Sequence, residues 1–423
     1  MLRNIKFVTI FLLFLSSALI DAKAEAELTW EECLGEAKEN NPELISARQK
    51  VKQARANRVI TKAELLPRIS TDLSGRTSKT SGEDERETYS YGITANQLLF
   101  DGFKTKHNLA TASEEIKSAQ YSYNVISSNV RLKLKNAFIK LLKAQQLLDI
   151  TKDIAARRKE NLELVNLRYE AGREHKGSLL NAQANLAQAN FEVAQARRDI
   201  DLARRQLTNE LGRRKLTSIK AKGNFKIEYS SRGKPDFECL AESNPFLLKL
   251  IAKKDAARFG ARSAKADFFP EVYGNASAES SDSRWPPNND AWSAGVSLSF
   301  PIFEGGSRIG KVSKARAALS QTQADERSGR DSVIFILEET WKEWQDAIDK
   351  VEVEQKFLEA AEERAKITQA QYSTGLISFD NWSIIEDNLV NAKKSFLNAK
   401  AYVLVKEAEW VQAKGGTLDY AKE

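Results

Sequence analysis

The sequence has few of the residues that usually carry chemistry. Its 423 residues include two cysteines, two histidines and a single methionine, Met1. His107 and His175 lie far apart and belong to no metal-binding or nucleophile motif. The carboxylates are spread along helical patterns, and no pair stands out as a general acid and base. We therefore expect no enzyme activity, no cofactor and no metal site, and the lack of methionine argues against a path for soft copper or silver ions.

Long apolar runs are also missing. After the first two dozen residues, no stretch approaches the roughly 18 uncharged apolar residues of a membrane-spanning helix. Residues 1–24 have the features of a secretory signal peptide, with a charged start, an apolar core over 7–20 and an Ala-x-Ala cleavage site at 22–24. An exported chain of this composition that enters a membrane must do so through β-strands.

One unit of the sequence occurs twice. Matching stretches open at Pro67 and Pro270 and close at Gly102 and Gly305, and the glycine follows the proline by 35 residues in both. The same offset of 203 residues relates the Asn-Pro pairs at 41–42 and 244–245 and the Asn-Leu pairs at 185–186 and 388–389. A register kept over this length indicates an internal duplication, so the chain is predicted to be one architecture built twice.

Each copy contains a predicted β-hairpin, over residues 67–100 and 270–301. Apolar and polar residues alternate there with the period of a sheet that has one apolar and one polar face. The residues predicted to face lipid are Tyr89, Tyr91, Ile93, Trp292, Ala294, Val296 and Leu298, with Tyr89 and Trp292 in an aromatic girdle beside the loops. Alternatively, the hairpins pack on the core of a soluble protein. The predicted corners between strands and helices are Pro67, Phe100, Gly102, Pro270, Phe303 and Gly305.

Very long helices follow the hairpins, over residues 104–171 and 307–374. Their apolar and small residues recur in steps of three and four, which is typical of a coiled-coil seam. At about 1.5 Å per residue, a helix over 104–171 is about 100 Å long. Return helices are predicted over 179–211 and 383–412, so each copy contains an antiparallel helical hairpin. Its turn follows a Tyr-x-x-Gly motif, Tyr169 to Gly172 and Tyr372 to Gly375, in which glycine provides a left-handed helix cap.

The predicted organisation is a signal peptide (1–24), a first repeat (25–215), a connector (216–236), a second repeat (237–416) and a tail (417–423) that we expect to be flexible. Residues 25–63 are predicted as a helix that breaks or bends at Asn41-Pro42. Cys33 and Cys239 fall at equivalent repeat positions, so buried free thiols are expected, and a disulfide is the alternative in an exported protein.

The net charge of +7 does not indicate a nucleic-acid partner. Lys and Arg are interspersed with Glu and Asp along the helices, as at residues 157–160, which is typical of solvated helix faces.

The order of these features resembles the TolC family of outer-membrane efflux and secretion channels. A signal peptide precedes two copies of an Asn-Pro pair, a proline strand entry, a Phe-[Asp/Glu]-Gly exit, a long helix and a Tyr-x-x-Gly turn, over essentially the whole mature chain. The resemblance implies a mainly α fold with a β-barrel part: a duplicated unit of β-hairpin and coiled-coil helical hairpin. Three chains would form a 12-stranded barrel continued by an α-helical tunnel. It implies the outer membrane of a Gram-negative-type cell, with extension into the periplasm.

The resemblance also implies a function and partners. The protein would be a passive duct of a tripartite efflux or type I secretion system, exporting small molecules or proteins. Its partners would be two further copies in a homotrimer, outer-membrane lipid, a periplasmic adaptor (membrane fusion) protein and an inner-membrane pump of the RND, ABC or MFS type. The gate and adaptor-docking surface would include Tyr169, Gly172, Tyr372, Gly375 and Asp380.

The turn departs from the family pattern at several positions. Ile377 stands where a basic gate residue is expected, and Asn381 and Ile384 occupy acidic-ring spacings. Alternatively, Asp380, Glu386 and Asp387 belong to a solvated turn, and the two tyrosines serve packing. The alternative function is a periplasmic or surface coiled-coil scaffold without a channel, which leaves the apolar hairpin faces without a role.

Overall fold

The computed structural model describes residues 26–82, 84–225 and 233–419. The eight helices of this part are α1 (Trp30–Asn40), α2 (Pro42–Ala63), α3 (Lys104–Glu170), α4 (Lys176–Glu210), α5 (Phe237–Glu242), α6 (Pro245–Ala266), α7 (Ser307–Thr374) and α8 (Phe379–Ala413). Its six strands are β1 (Ala26–Leu28), β2 (Arg68–Ser78), β3 (Arg86–Phe100), β4 (Ile219–Ala221), β5 (Glu271–Asp282) and β6 (Asp290–Ser299). The expected signal peptide lies outside the described residues.

The chain divides into two compact units. The first, which we call the hairpin unit, comprises the described residues within 26–37, 134–225 and 350–404, and it contains the turns of both helical hairpins. The second, the sheet unit, comprises the described residues within 38–133, 233–349 and 405–419, and it contains the four-stranded sheet. Both units draw on both sequence repeats, so the compact units are not the duplicated units.

The sheet unit contains an antiparallel sheet in the order β2-β3-β5-β6. Both hairpins are formed within a repeat, and β3 pairs with β5 across the two repeats. A bulge in β3, between Leu98 and Phe100, ends the regular register beside the helices. In this chain β2 and β6 are therefore the two edges of the sheet.

The register places the apolar residues of all four strands on one face. One row across the sheet is Ile69, Ala95, Ala276 and Ala294, and the next is Thr71, Ile93, Ala278 and Trp292. This face is largely open, since Trp292 is 82% exposed and Val296 is 71% exposed. Trp292 lies in the row of Ile93 and not in that of Tyr89, which pairs with Asp282. Tyr89 and Trp292 occupy equivalent positions in their own hairpins but lie in different rows of the sheet, because the two hairpins are staggered where β3 pairs with β5.

The opposite face is polar. Side-chain hydroxyls pair across neighbouring strands, Ser70 with Thr94 at 2.7 Å and Ser277 with Ser293 at 2.9 Å. Ser74 pairs with Ser90 in the same way at 2.9 Å. On the polar face, these hydroxyls therefore hydrogen-bond to one another across neighbouring strands, whereas the other face presents hydrocarbon.

The strand-helix corners differ between the repeats. Gly102 has a φ of +64°, and a Cβ there would lie 2.5 Å from Cβ of Phe269. Its counterpart Gly305 has a φ of +58° but no heavy atom within 4 Å of a Cβ. Pro67 and Pro270 directly precede β2 and β5. Both glycines adopt the left-handed backbone, but only the first is also required by close packing.

The segment expected to be one bent helix is two helices preceded by a strand. Asn41 separates α1 from α2 as an N-cap, and its side-chain oxygen accepts the Glu43 N–H at 2.9 Å. Pro42 at the first helical position loses no bond there, because that N–H has no partner within a helix. The strand β1, which pairs in parallel with β4, was not predicted, because three residues carry no periodic signal.

Two further details correct the sequence-based expectations. Both cysteines are free, but only Cys33 is buried, and Cys239 is exposed. Burial raises the pKa of the Cys33 thiol to about 12. In the tail, Leu418 is buried and its N–H donates to Ser127 Oγ at 3.1 Å, so its described part is packed. No helix in the described ranges is both long enough and apolar enough to cross a membrane.

Candidate functional site

The turns of the two helical hairpins have the same backbone. In the first, the Gly172 N–H donates to the Tyr169 carbonyl at 2.9 Å and the Arg173 N–H to the Arg168 carbonyl at 2.8 Å. In the second, the Gly375 N–H donates to the Tyr372 carbonyl at 3.0 Å and the Leu376 N–H to the Gln371 carbonyl at 2.9 Å. Both are Schellman motifs, which require the left-handed glycine found at each position, with φ of +70° and +81°.

The return helices begin earlier than expected, at Lys176 and Phe379. His175 caps α4, because its Nδ1 accepts the Ser178 N–H at 3.2 Å. At the equivalent position before α8, the Ser378 hydroxyl accepts the Asn381 N–H at 3.4 Å. A histidine cap is unusual, and it was missed because the common capping residues are Ser, Thr, Asp and Asn.

The two motif tyrosines have opposite environments. Tyr169 is 38% exposed, whereas Tyr372 is 0% exposed. Tyr372 stacks on Trp382 with ring centroids 4.2 Å apart, and Phe379 packs edge-on against it. Val165 of α3 and Ala182 of α4 complete this cluster, which we call the aromatic cluster. It joins the two helical hairpins in the hairpin unit.

Polar groups tie Tyr372 to the first hairpin. Its hydroxyl donates to Glu174 Oε2 at 2.9 Å. The Arg168 guanidinium lies over the tyrosine ring, 4.6 Å from the centroid, and donates to the Tyr372 carbonyl at 2.5 Å. Arg168 and Glu174 of the first hairpin therefore both bind Tyr372 of the second.

Electrostatics favour a neutral tyrosine and an ionised carboxylate in this contact. Burial, with the hydrogen bond to Glu174, raises the pKa of Tyr372 far above its usual value. Burial also acts to raise the pKa of Glu174, but hydrogen bonds from Tyr372, Ser178 and the His175 backbone outweigh it, and that pKa lies below its usual value. The phenol is therefore a firm hydrogen-bond donor at neutral pH.

A second polar contact joins α3 to α8. Glu386 is 1% exposed. Arg157 binds both of its oxygens, Nε to Oε2 and Nη2 to Oε1 at 2.6 Å each, and Asn161 Nδ2 donates to Oε2 at 3.2 Å. Next to it, Arg158 pairs with Asp387. The hydrogen bond to Glu386 raises the pKa of Arg157.

Glu386 and Asp387 are therefore not part of a solvated turn, because both lie inside α8 and face arginines of α3. Asp380 does lie exposed in the first turn of α8. The neighbouring positions Asn381 and Ile384 are exposed as well, and Ile377 packs against the aromatic cluster. Of the residues expected at the gate, Tyr372 contacts the first hairpin through its side chain, and a Cβ at Gly375 would lie 3.7 Å from the Arg168 guanidinium.

Sequence reasoning missed Arg168, Glu174 and Trp382. It assigned Arg157 to a solvated helix face and Glu386 to a solvated turn, whereas the two side chains bind each other. One signal was available for Glu386, since it continues the three- and four-residue steps of Phe379, Trp382 and Leu389. A carboxylate on an apolar seam requires a partner. The partner itself, 229 residues away in the chain, has no local signature.

No group of three or more His, Cys, Asp or Glu side chains within the described residues is arranged to hold a metal ion. The contacts at the turns are donors, acceptors and stacked rings that hold helices together, so they suit a conformational contact rather than a reaction.

Comparisons with known proteins agree with this architecture. The family model described as outer membrane efflux protein matches residues 33–213 and 238–416. The outer membrane protein TolC of Vibrio cholerae serotype O1 is 25% identical over 427 residues, 95% of this chain and 94% of that protein. The outer membrane efflux protein BepC of Brucella suis biovar 1 is 23% identical over 354 residues, 82% of this chain and 76% of that protein.

A solved structure has the same fold. The outer membrane protein VceC of Vibrio cholerae matches with a TM-score of 0.80 at 18% identity, over 92% of this chain and 97% of that one.

Proposed function

This chain belongs to the outer membrane efflux protein family, and we propose that it is the outer-membrane channel of a tripartite efflux or type I secretion system. Its family is one of outer-membrane channels rather than enzymes. In this proposal the protein is a passive duct for small molecules or proteins, and a pump in the inner membrane supplies the energy.

The single observation that carries the proposal is the four-stranded sheet with one open apolar face and two edges. Open edges are not tolerated in hydrocarbon, since their N–H and C=O groups would lack partners. Pairing β2 of one copy with β6 of the next removes every edge, and three copies give 12 strands, within the range of known barrels. The open apolar face then meets lipid, through Tyr89, Tyr91, Ile93, Trp292, Ala294, Val296 and Leu298, and the hydroxyl-rich face lines the lumen.

We place the gate at the helical hairpin turns. The contacts between Tyr372 and Glu174 and between Arg157 and Glu386 hold the second hairpin against the first. An opening motion that separates the hairpins must break both. Gly172, Gly375, Asp380 and the exposed Tyr169 then form the surface that a periplasmic adaptor protein meets.

The proposal is tested by extracting the protein from the outer-membrane fraction with a non-ionic detergent and measuring the mass of the complex. Three chains per particle, with ion conductance in planar bilayers, are expected. A monomer released by salt alone would instead support the coiled-coil scaffold.

The gate is tested separately by single-channel conductance. The Tyr372→Phe and Glu386→Ala double variant is expected to conduct more than the unaltered channel, because both contacts between the hairpins are lost. Tyr169→Phe is the matched control at the equivalent repeat position, and it should leave conductance unchanged. Equal conductance of all three proteins would contradict this gate.

A further inference from the structure

The two turns present different side chains at the same backbone position. Arg173 and Leu376 both follow the left-handed glycine of a Schellman motif, and their N–H groups make equivalent hydrogen bonds. The two turns therefore share one backbone conformation and differ in the chemistry of their side chains.

The first turn carries cations that the chain does not neutralise. Arg173 and Lys176 are both exposed, and the described residues provide no side-chain hydrogen bond or ion pair for either. The nearest carboxylate in sequence, Glu174, is occupied by the Tyr372 hydroxyl. Glu170 accepts a hydrogen bond from Asn166 at 2.8 Å. Two positive charges therefore remain available at the apex of the first hairpin.

The second turn is nearly without charge and exposes hydrocarbon. Asp380 is the one ionisable side chain between Lys366 and Glu386 apart from Tyr372. Leu376 is 76% exposed. An apolar residue at this position of a Schellman motif frequently packs back on its own helix, but Leu376 extends into solvent instead. The second apex therefore offers an apolar contact.

We propose that the two turns recognise two different features of one protein partner: a carboxylate side chain at Arg173 and Lys176, and an apolar side chain at Leu376. This inference rests on the proposed docking role of the turns and names the chemistry of the partner. The partner is a periplasmic protein whose docking segment carries Asp or Glu where it meets the first turn.

A second copy of this chain fits the first turn less well. The second turn of a neighbouring copy offers Asp380 alone, one carboxylate for the two cations Arg173 and Lys176. A partner with its own acidic residue balances the remaining charge, and ion pairs at an interface select the partner by charge complementarity.

The test uses the full-length channel in its native cell. One variant reverses the charge at the first turn, Arg173→Glu with Lys176→Glu. Its control keeps the charge, Arg173→Lys with Lys176→Arg. A third variant, Leu376→Asp, alters the second turn. Envelopes are solubilised, the channel is purified, and the adaptor per channel is measured by quantitative mass spectrometry.

The expected result is at least a tenfold loss of adaptor with the charge-reversed variant and with Leu376→Asp, and no loss with the charge-keeping control. Second-site suppressors of the charge-reversed variant are then selected on a compound that inhibits cells lacking this protein. They should replace Asp or Glu by Lys or Arg in the adaptor.

Three other results would each show which part of the proposal is wrong. If only Leu376→Asp loses the adaptor, the docking role stands and the charge inference is wrong. If suppressors change Asp380 of this chain to a basic residue, the cations pair with a second copy and the inference is also wrong. If no variant loses the adaptor, docking at the turns itself is wrong.

Discussion

The carboxylate of Glu386 shows how much a single buried residue can contribute to the contact between hairpins. It is enclosed by Arg157 and Asn161 of α3, and its neighbour Asp387 pairs with Arg158 from a much more exposed position. Removing one member of a buried ion pair is costly because the other charge stays behind without its partner. Removing one member of an ion pair at the surface changes the stability of the protein much less.

Glu386→Ala is therefore expected to destabilise the protein by about 3 kcal/mol, the lower end for a broken buried pair, because Arg157 keeps some access to water. Asp346→Ala, which removes the partner of Lys342 in an ion pair whose two side chains are both exposed, is expected to cost less than about 1 kcal/mol. Thermal unfolding followed by the helical circular dichroism signal measures both. Equal costs for the two variants would show that Glu386 is not buried in the assembled protein.

Tyr372 and Glu174 provide a pH-dependent contribution to stability. The pKa of Glu174 is lower in the folded protein than its ordinary value of 4.5. A lowered pKa stabilises the folded state fully above the unfolded pKa, and this contribution is lost as pH falls through the folded pKa.

Tyr372→Phe is expected to cost about 1 to 2 kcal/mol at neutral pH, because it removes one of the hydrogen-bond donors of a largely buried carboxylate. It should also reduce the loss of stability as pH falls below the ordinary carboxyl pKa of 4.5, because the folded pKa of Glu174 then moves back toward that value. Tyr169→Phe, at the equivalent but exposed position, should change neither quantity. An unchanged pH profile in the Tyr372 variant would argue against this hydrogen bond.

At the scale of elements, the duplication provides matched pairs whose sequence is alike and whose surroundings differ. Gly102 and Gly305 end equivalent corners with nearly the same φ, but only Gly102 faces a neighbour at contact distance, Phe269. The first corner is thus fixed by packing between the start of α3 and the end of α6, where Lys104 also pairs with Asp267 at 2.8 Å.

Alanine at these two glycines separates conformational strain from collision. Both variants carry the cost of a left-handed alanine, about 1 to 2 kcal/mol. Gly102→Ala should cost clearly more, since its Cβ would lie 2.5 Å from that of Phe269. The difference in unfolding temperature between the two variants measures the additional cost of the steric clash at Gly102. If Gly305→Ala is the more harmful change, its corner is covered by another chain in the assembly.

At the scale of the whole molecule, the sheet decides whether the chain can exist alone in a membrane. Its apolar face and its two edges are both unsatisfied in one copy. Pairing the edges with further copies gives their N–H and C=O groups hydrogen-bond partners, and the apolar face of the closed barrel then contacts lipid.

Val296→Arg tests which face meets lipid. In a barrel it places a charge near hydrocarbon, at a cost of about 2 to 4 kcal/mol per chain near the bilayer midplane. Outer-membrane levels and the amount of detergent-stable trimer should both fall. Ser297→Arg, the next residue on the polar face, is the control and should assemble. Normal levels of the Val296 variant, or loss of both, would contradict the assignment of faces.

The sequence by itself determined the duplication, the identity of the long helices and of the hairpin strands, the face of each strand and the left-handed glycines at the turns. These features follow from local periodicity and from the backbone preferences of Gly, Pro and Asn, which act over a few residues. The 203-residue offset also related distant parts of the chain to each other, because the same local signals recur in the second repeat.

Only the tertiary structure decided which of two equivalent tyrosines is buried, which carboxylate binds an arginine, and that two three-residue segments pair as β1 and β4. It also decided that Cys239 is exposed while Cys33 is buried. The physical reason is that burial and pairing depend on residues brought together from distant parts of the chain. Equal motifs in two repeats acquire unequal neighbours, and no pattern within either repeat records that difference.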